Sequence, residues 1–315
     1  MTELGKILEY EQPTKYIVKS ENYDDSYATP VLTPGQTFIL GYTDEKEGIY
    51  SAPLPVIIFD DFTTATKLVN FPFKVKSSAM KILKPANKNV YIPYWYYYLS
   101  SLKVDNDLHK RYWISTFSPR QVNSPSFTEQ KRIAQRLDKV QELIALQKEQ
   151  LKKLDNLIKS RFINLFGDPE TNTKHWPLIS WDSLFSVVTG KLDANAMEKN
   201  GKYPFFTCAK ESFRINSYAF DQKALLLAGN NATADYDVKF YEGKFNAYQR
   251  TYVISLKNEQ RSYIVYKFLL EQKLQLMKRL FKGTNTRYLT LSILKDFKFL
   301  DLPIEQQTQF ADFVT

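Results

Sequence analysis

Cysteine is almost absent from this chain of 315 residues, which contains only Cys208. A single cysteine excludes an internal disulfide and is typical of proteins of the reducing cytoplasm. Long apolar runs are missing too, since the longest, Val56–Phe59 and Ala224–Ala228, are far shorter than the roughly 20 residues that span a bilayer. The segment Met1–Tyr10 has no apolar signal-peptide core. The sequence therefore predicts a soluble cytoplasmic protein.

Motifs for catalysis and cofactor binding are also lacking. The 10 glycines are scattered, and none belongs to a Gly-x-x-x-x-Gly-Lys phosphate-binding loop. His109 and His175 have no second His or Cys at the spacing of metal ligands. No Asn-Pro-Pro-Tyr type motif, with which amino-methyltransferases hold a flipped adenine, occurs. We therefore expect no catalytic residue, no metal and no cofactor on this chain, which favours a protein that binds and positions.

Positive charge is in excess. The formal net charge is +9 and the sequence pI is about 9.2. This balance favours an anionic partner, either nucleic acid or an acidic membrane surface.

Two short motifs recur far apart in the chain. Arg111-Tyr112 returns as Arg287-Tyr288, and Glu129-Gln130 returns as Glu305-Gln306, both at an offset of 176 residues (287 − 111). A period this long predicts duplicated domains rather than the short units of a solenoid.

One long helix is predicted between the two copies. No proline or glycine occurs from Thr128 to Phe166, and the segment ends at Phe166-Gly167-Asp168-Pro169. Its apolar residues follow a seven-residue repeat, which is the pattern of a coiled-coil seam. The predicted seam residues are Leu137, Ile144, Leu151, Leu154 and Ile158. At 39 residues the helix reaches roughly 58 Å.

The sequence leaves two alternatives for what covers the apolar seam of this helix. The helix either lies on its own domains as a linker, or pairs with a second copy of itself that begins near Ile304 and runs antiparallel. Because the sequence stops at Thr315, we expect this distal helix to be truncated. The expected domains are a first module at 1–125, a spacer helix at 126–168, a second module at 169–302 and the start of the distal helix at 303–315.

Each module mixes short β-rich runs with a helix-like stretch and lacks a βαβαβ rhythm, so the predicted fold class is α+β, a mixed α/β arrangement. The helical stretches are Tyr91–Lys103 and Arg261–Lys282. Strands are predicted near residues 16–18, 37–40, 56–59, 71–75 and 79–83 in the first module, and near 205–207, 224–227, 238–241 and 251–256 in the second.

Polar loops follow corresponding apolar runs in the two modules, Asp60–Ala65 in the first and Gly229–Ala234 in the second. Asn and Thr offer donors and acceptors suited to base edges, and Arg or Lys can read guanine or hold phosphates. The alternative is that these loops are ordinary surface turns and that the basic residues are solvated charges. The candidate DNA contacts are Thr63, Thr64, Lys74, Lys76, Lys110, Arg111, Asn230, Asn231, Arg250, Lys282, Asn285 and Arg287.

Several stretches together carry a family resemblance. Over its whole length the chain resembles the specificity subunit of type I restriction-modification systems. The matching stretches are Thr29–Tyr42, Val56–Thr64, Phe71–Met80, the helix Glu129–Gly167 with its ending Arg161-Phe-Ile-Asn-Leu-Phe-Gly167, and Leu302–Gln306.

The resemblance implies two target recognition domains, each reading one half of a split double-stranded DNA site, joined by conserved helices that set the unread gap. It implies docking of modification subunits, which bring S-adenosylmethionine and methylate adenine, and of restriction subunits, which use ATP and Mg. Those cofactors are expected only on the partners. The short distal helix departs from the family pattern and leaves the seam to a second copy, so we expect self-association.

Three alternatives remain open at this stage. The chain is either a specificity subunit, an inactive truncated specificity allele, or a non-catalytic scaffold that binds protein partners through its helix. A stand-alone DNA-modifying enzyme is disfavoured by the missing motifs.

Overall fold

The computed structural model describes residues 1–34, 37–102, 111–231, 236–280 and 287–315, with the side chains of all of these except 231, 279, 280 and 287. The chain forms two compact units, Met1–Glu149 and Gln150–Thr315. The predicted domain boundaries give the long helix a segment of its own, whereas the compact units divide inside it. The boundaries at 125, 168 and 302 therefore stay a prediction.

Unit 1 contains small antiparallel and mixed sheets, an α-helix of its own and the beginning of the long helix. Its strands are β1 (Thr2–Glu3), β2 (Leu8–Glu11), β3 (Thr29–Leu32), β4 (Ile39–Thr43), β5 (Val56–Asp60), β6 (Thr66–Val69), β7 (Lys74–Val75), β8 (Met80–Pro85) and β9 (Gln121–Val122). Its helices are α1 (Ile92–Ser101) and the first part of α2 (Phe127–Phe166).

The central strand of unit 1 is β5. It lies in a four-stranded sheet of order β2-β8-β5-β6, and all five of its residues are buried. Ile57 and Phe59 join the core beneath α1, while Val56 and Ile58 join the core on the opposite face. Because successive side chains of a strand point to opposite faces, an uninterrupted apolar run is what a strand covered on both faces requires.

Unit 2 repeats this plan with a larger sheet. Its strands are β10 (Leu178–Ser180), β11 (Phe185–Thr189), β12 (Tyr203–Phe206), β13 (Phe213–Ile215), β14 (Phe220–Ala228), β15 (Asn230–Asn231), β16 (Val238–Ala247), β17 (Thr251–Leu256), β18 (Arg287–Tyr288) and β19 (Lys298–Leu300). Its helices are α3 (Trp181–Leu184), α4 (Tyr263–Leu280), α5 (Leu291–Lys295), α6 (Ile304–Val314) and the remainder of α2.

The central strand of unit 2 is β14, in a sheet of order β11-β17-β14-β16-β12-β13. Leu225 and Leu227 face the helical core, and Ala224 and Leu226 face a smaller core on the other side. The order β11-β17-β14-β16 matches β2-β8-β5-β6 of unit 1 strand for strand. The two units are therefore duplicates of one α+β fold, and the predicted mixed fold class is confirmed.

Two buried glutamines fix the register of the duplication. In unit 1, Gln130 donates to the carbonyl of Pro125 at 2.9 Å and accepts from the backbone N–H of Tyr91 at 2.9 Å. In unit 2, Gln307 donates to the carbonyl of Leu302 at 2.8 Å and accepts from the backbone N–H of Ser262 at 2.9 Å. These partners place Gln307, not Gln306, in the role of Gln130, at an offset of 177 (307 − 130).

The offset of 176 predicted from the short motifs is therefore wrong by one residue. The β1–β9 and β10–β19 pairings agree with the corrected value, because Thr2 pairs with Val122 and Ile179 pairs with Phe299. A two-residue match such as Glu-Gln fixes a register poorly when a second glutamine follows it. Backbone pairing decides the register because each strand residue lies opposite one particular residue of the neighbouring strand.

The long helix α2 begins and ends within one residue of the predicted bounds. It closes at Gly167, whose φ of +79° is the left-handed cap conformation and whose N–H donates to Ile163 at 2.8 Å. In unit 2, its rings Phe162 and Phe166 pack on Phe310 of α6, with centroids 5.3 and 6.1 Å apart. Arg161 lies over the ring of Phe313, so the residue order along α6 opposes that along α2, as in antiparallel packing.

The predicted seam is covered unevenly. Ile144, Leu151 and Leu154 are exposed, whereas Leu137 is half-buried and Ile158 packs against the core of unit 2. The expectation that the seam is left to a second copy is wrong for Ile158, because unit 2 itself packs against that residue.

Most predicted strands and both predicted helices are present with shifted ends. The predicted strand at 16–18 is an exception: the chain forms a 3₁₀ turn at Pro13–Tyr16, and only Ile17 makes a bridge, to Val75. Pro13 fixes a φ suited to the first position of a helical turn. In the described part of the chain no helix is both long and apolar enough to cross a bilayer.

Candidate nucleic-acid interface

In unit 1, the predicted recognition loop follows the central strand β5 and is organised by Asp60. One carboxylate oxygen of Asp60 accepts the N–H of Phe62 at 3.0 Å, and the other accepts the hydroxyl of Thr63. Thr64 has a φ of +60°, and its N–H donates to the carbonyl of Asp60 at 3.0 Å. This tight turn leaves Thr63 exposed and Thr64 half-buried.

A second segment returns to the same strand end. The N–H of Tyr112 donates to the carbonyl of Asp61 at 3.0 Å, and the N–H of Trp113 donates to the Asp61 carboxylate at 2.8 Å. Arg111, which is exposed, immediately precedes this junction. The fold thus brings Thr63, Thr64 and Arg111 to one end of β5.

In unit 2, the matching end of β14 gathers the other candidates. Asn230 pairs with Tyr288 and Asn231 with Arg287 in the two-stranded β15–β18 ladder. The exposed Arg250 lies in the turn between β16 and β17, and its carbonyl accepts the N–H of Gly229 at 2.7 Å. Asn230, Arg250 and the backbones of Asn231 and Arg287 therefore meet at one strand end.

Gly229 allows this close approach. A Cβ at this position would lie 2.8 Å from the carbonyl oxygen of Arg250, inside van der Waals contact. Only glycine lets the turn of Arg250 dock against the strand end that carries Asn230.

The side chain of Asn230 is incompletely satisfied. Its Oδ1 is buried and has no hydrogen-bond partner among the residues that the structure describes. A buried polar atom without a partner costs free energy unless something binds it. This acceptor lies beside the loops expected to read bases.

Lys74 was predicted to contact phosphate, and the structure contradicts that role. Its side chain is only 1% exposed, and its ammonium pairs with Glu45 at 2.9 Å. The same ammonium donates to the carbonyls of Glu47 at 2.6 Å and Gly48 at 3.2 Å. With its charge paired inside unit 1, Lys74 is a structural residue.

The remaining basic candidates have different surroundings. Lys76 is partly exposed and pairs with Glu21 near the ring of Tyr23. Lys110, Lys282 and Asn285 lie outside the described residues, so their predicted DNA contacts stay predictions.

Sequence reasoning missed the residues that hold these loops. Asp61 and Lys81 form an ion pair of 3.3 Å with both side chains at most 2% exposed. In unit 2, the hydroxyl of Tyr252 donates to the carbonyl of Leu289 at 2.9 Å, and burial raises the pKa of this tyrosine. A lysine inside the apolar stretch Met80–Leu83 was the available signal, because lone buried charges need partners.

No group of three or more His, Cys, Asp or Glu side chains suited to a metal ion occurs in the described ranges.

The second half of the chain is similar to a known protein family. Residues 174–315 match the family model of the type I restriction modification DNA specificity domain. The chain is similar to type I restriction-modification specificity subunits. The predicted resemblance is thereby confirmed.

Two curated specificity subunits of Escherichia coli are similar to this chain. The EcoR124I/EcoR124II specificity subunit is 41% identical over 222 residues, which are 65% of this chain and 53% of that protein. The EcoDI specificity subunit is 56% identical over 79 residues, 25% of this chain and 17% of that protein. The chain thus spans about half the length of the first relative.

A solved structure shares the fold. The crystal structure of the type I restriction-modification system S subunit from M. genitalium superposes with a TM-score of 0.66 at 14% identity, covering 99% of this chain and 87% of that one. At this identity the likeness concerns the fold.

Proposed function

We propose that this chain is the DNA-binding specificity subunit of a type I restriction-modification complex and that each unit reads one half of a bipartite DNA site. The observation that carries the proposal is the equivalent placement of polar and basic residues in the two units. Thr63 and Arg111 lie at the end of β5, and Asn230 and Arg250 lie at the end of β14. The family match of residues 174–315 supports a DNA specificity role for the second of these sites.

The chemistry of these residues suits duplex DNA. Arginine binds guanine edges with two hydrogen bonds, and asparagine does the same with adenine. Thr64 is able to donate and accept at a base edge, and Thr63, whose hydroxyl donates to Asp60, is able to accept there. The partly exposed Lys76 suits a phosphate. A net charge of +9 raises the local concentration of such an anionic partner.

Catalysis belongs, in this proposal, to partner subunits in the cytoplasm. Modification subunits bring S-adenosylmethionine and methylate adenine at the site that the chain selects. Restriction subunits use ATP and Mg. The chain itself contributes base recognition and a docking surface, and it carries no cofactor.

The exposed middle of α2 supports a further part of the proposal. Ile144, Leu151 and Leu154 leave apolar area in contact with water on a helix with a coiled-coil pattern. We propose that a second copy of the chain covers this seam.

The test is methylome sequencing of cells that express the chain together with a cognate modification subunit. A new adenine-methylation motif in two separated parts is the expected result. The matched control expresses the modification subunit alone, and a motif that appears there as well would contradict the specificity role.

A protein-interaction scaffold is the second candidate, favoured by the same exposed residues of α2. The two functions differ in their response to salt. Phosphate contacts make DNA affinity fall steeply between about 50 and 200 mM salt, whereas a scaffold without DNA binding shows no duplex affinity at either concentration. Binding of a duplex that carries the methylome motif decides between them.

A further inference from the structure

Equivalent positions in the two units carry different residues that hold the predicted recognition loops. In unit 1, Lys81 of β8 pairs in register with Phe59, the next-to-last residue of β5. In unit 2, Tyr252 of β17 pairs in register with Leu227, the next-to-last residue of β14. Lys81 and Tyr252 therefore occupy the same place beside the central strand.

In unit 1, Lys81 forms an ion pair with Asp61. Asp61 joins the end of β5 to the start of β8 and to the returning segment at Tyr112. The N–H of Asp61 donates to the carbonyl of Ala79 at 3.1 Å, and its carbonyl accepts the N–H of Tyr112. Its carboxylate accepts the N–H of Trp113 and pairs with the Lys81 ammonium at 3.3 Å. Lys81 neutralises this carboxylate in a site where an unpaired charge is strongly unfavourable.

In unit 2, a neutral hydrogen bond joins the corresponding segment. The N–H of Leu289 donates to the carbonyl of Gly229 at 2.8 Å, as that of Tyr112 does to Asp61 in unit 1. The hydroxyl of Tyr252 then donates to the carbonyl of Leu289 at 2.9 Å. The returning strand β18 is thus fastened beside Asn230.

We propose that Lys81 and Tyr252 are positioning residues that set the base selectivity of the two half-sites independently. This inference rests on the proposed function. Each residue holds a returning segment, with Arg111 in unit 1 and Arg287 in unit 2, against the strand end that carries the polar loop. Neither residue is exposed enough to contact DNA, since Lys81 is buried and Tyr252 is half-buried.

The physical reason is preorganisation. A base edge is read only when donors and acceptors from both segments are held within a fraction of an ångström. A segment released from its strand end samples several positions, and contacts to correct and incorrect bases then become similar. Selectivity falls at the half-site read by the released unit and is unchanged at the other.

The experiment measures the methylome motif for four single variants of the full chain, expressed with a cognate modification subunit. Lys81→Met and Tyr252→Phe remove the two positioning contacts. Lys74→Met and Tyr266→Phe are the matched controls. Lys74 is a buried, paired lysine of unit 1, and the Tyr266 hydroxyl donates to a buried carbonyl of unit 2, that of Leu300, at 3.3 Å.

The expected result is reciprocal. Lys81→Met lowers base discrimination about tenfold at one half-site, and Tyr252→Phe does so at the other, as for the loss of one good base contact. The control variants retain the wild-type motif at both half-sites, whatever their effect on stability.

A fifth variant separates selectivity from folding. Asp61→Leu with Lys81→Met removes both buried charges, which costs much less stability than removing one. We expect it to fold and still to lose selectivity at one half-site, because the bond to Trp113 is gone. Recovery of the wild-type motif in this variant would overturn the inference for unit 1.

Other outcomes would contradict the positioning role of Lys81 and Tyr252 or the proposed function. Equal loss at both half-sites, or loss in the control variants to the same extent, would show that these contacts are only structural. If the wild-type chain gives no bipartite motif, the proposed function fails first. A wild-type motif that Lys81→Met and Tyr252→Phe leave unchanged rejects this inference alone.

Discussion

At the scale of single residues, the surroundings of a side chain decide whether it is available to DNA. Lys74 and Arg111 were predicted as contacts on the same grounds, yet Lys74 is buried against Glu45 while Arg111 is exposed at the end of a central strand. Asn230 differs from both because its Oδ1 is buried without a partner among the described residues. Charge alone therefore does not identify the candidate interface.

Replacement of Asn230 tests the candidate site in unit 2. Asn230→Ala is expected to relax base choice about tenfold at one half-site, as for the loss of one good base contact, and to leave the other half-site unchanged. Because the Oδ1 of Asn230 makes no bond to described residues, stability is expected to change little.

Methylome motifs of the variant and wild type provide the measurement. Asn258→Ala, in a turn where Asn258 accepts the N–H of Gln260 at 3.0 Å, is the control away from the strand end. Equal relaxation at both half-sites would show that Asn230 acts through the fold.

At the scale of elements, each unit begins a helix with a buried glutamine that bonds back to the fold. Gln130 accepts from the indole N–H of Trp95 at 3.1 Å in addition to the backbone of Tyr91. Gln307 joins Ser262 to Leu302. These side chains fasten the start of α2 to α1 and the start of α6 to α4.

Truncation of either glutamine is expected to destabilise its unit. Gln307→Ala leaves the part-buried N–H of Ser262 and the buried carbonyl of Leu302 without partners and should cost about 3 kcal/mol. Gln130→Ala, with more partners, should cost at least as much. The exposed Gln135→Ala on α2 should change stability by less than about 0.5 kcal/mol. Urea denaturation followed by tryptophan fluorescence measures the three values. Similar values for all three would contradict the fastening role.

Glu271 of α4 gives unit 2 a pH dependence. It lies in a groove lined by α2, α4 and α6, 2.6 Å from Lys267. Burial raises the pKa of Glu271 above its ordinary 4.5, Lys267 opposes the shift, and Asp237 and Asp155 add to it. The folded chain therefore binds this proton more tightly than the unfolded chain does.

The protonated carboxyl of Glu271 therefore stabilises the folded chain below pH 4.5. This stabilisation is lost as the pH rises through the raised pKa of Glu271. Glu271→Gln removes the titration. The difference in unfolding free energy, wild type minus variant, should fall as the pH rises above 4.5. The exposed Glu259→Gln is the control. A difference that rises with pH would show that the ion pair with Lys267 outweighs burial.

At the scale of the whole molecule, the chain combines a net charge of +9 with an apolar helix surface. Leu151 is 62% exposed and Leu154 is 55% exposed. Coiled-coil residues that face water in one copy are buried when two copies pair.

We expect the chain to associate with itself as its concentration rises. Leu151→Glu with Leu154→Glu should weaken the association at least tenfold, because charges would enter the seam. Leu178→Glu, at an equally exposed leucine outside α2, should have no effect. Sedimentation equilibrium measures all three chains, and a wild type that is monomeric at every concentration would refute the pairing.

The sequence by itself determined the features that follow from local periodicity. The seven-residue repeat and Gly167 located α2, and the uninterrupted apolar runs located β5 and the buried part of β14. The recurring motifs revealed the duplication, although its register needed the partners of Gln130 and Gln307. The polar loops after these strands were likewise visible, because strand ends and turn residues are encoded within a few positions.

Only the tertiary structure decided which side chains those loops depend on. Lys81 meets Asp61, and Tyr252 meets Leu289, across separations of 20 residues (81 − 61) and 37 residues (289 − 252). No local pattern encodes such a pairing, because it depends on strand register and on the path by which the chain returns. The same holds for Lys74 and Glu45: burial makes a lysine structural, and burial is a property of the assembled fold.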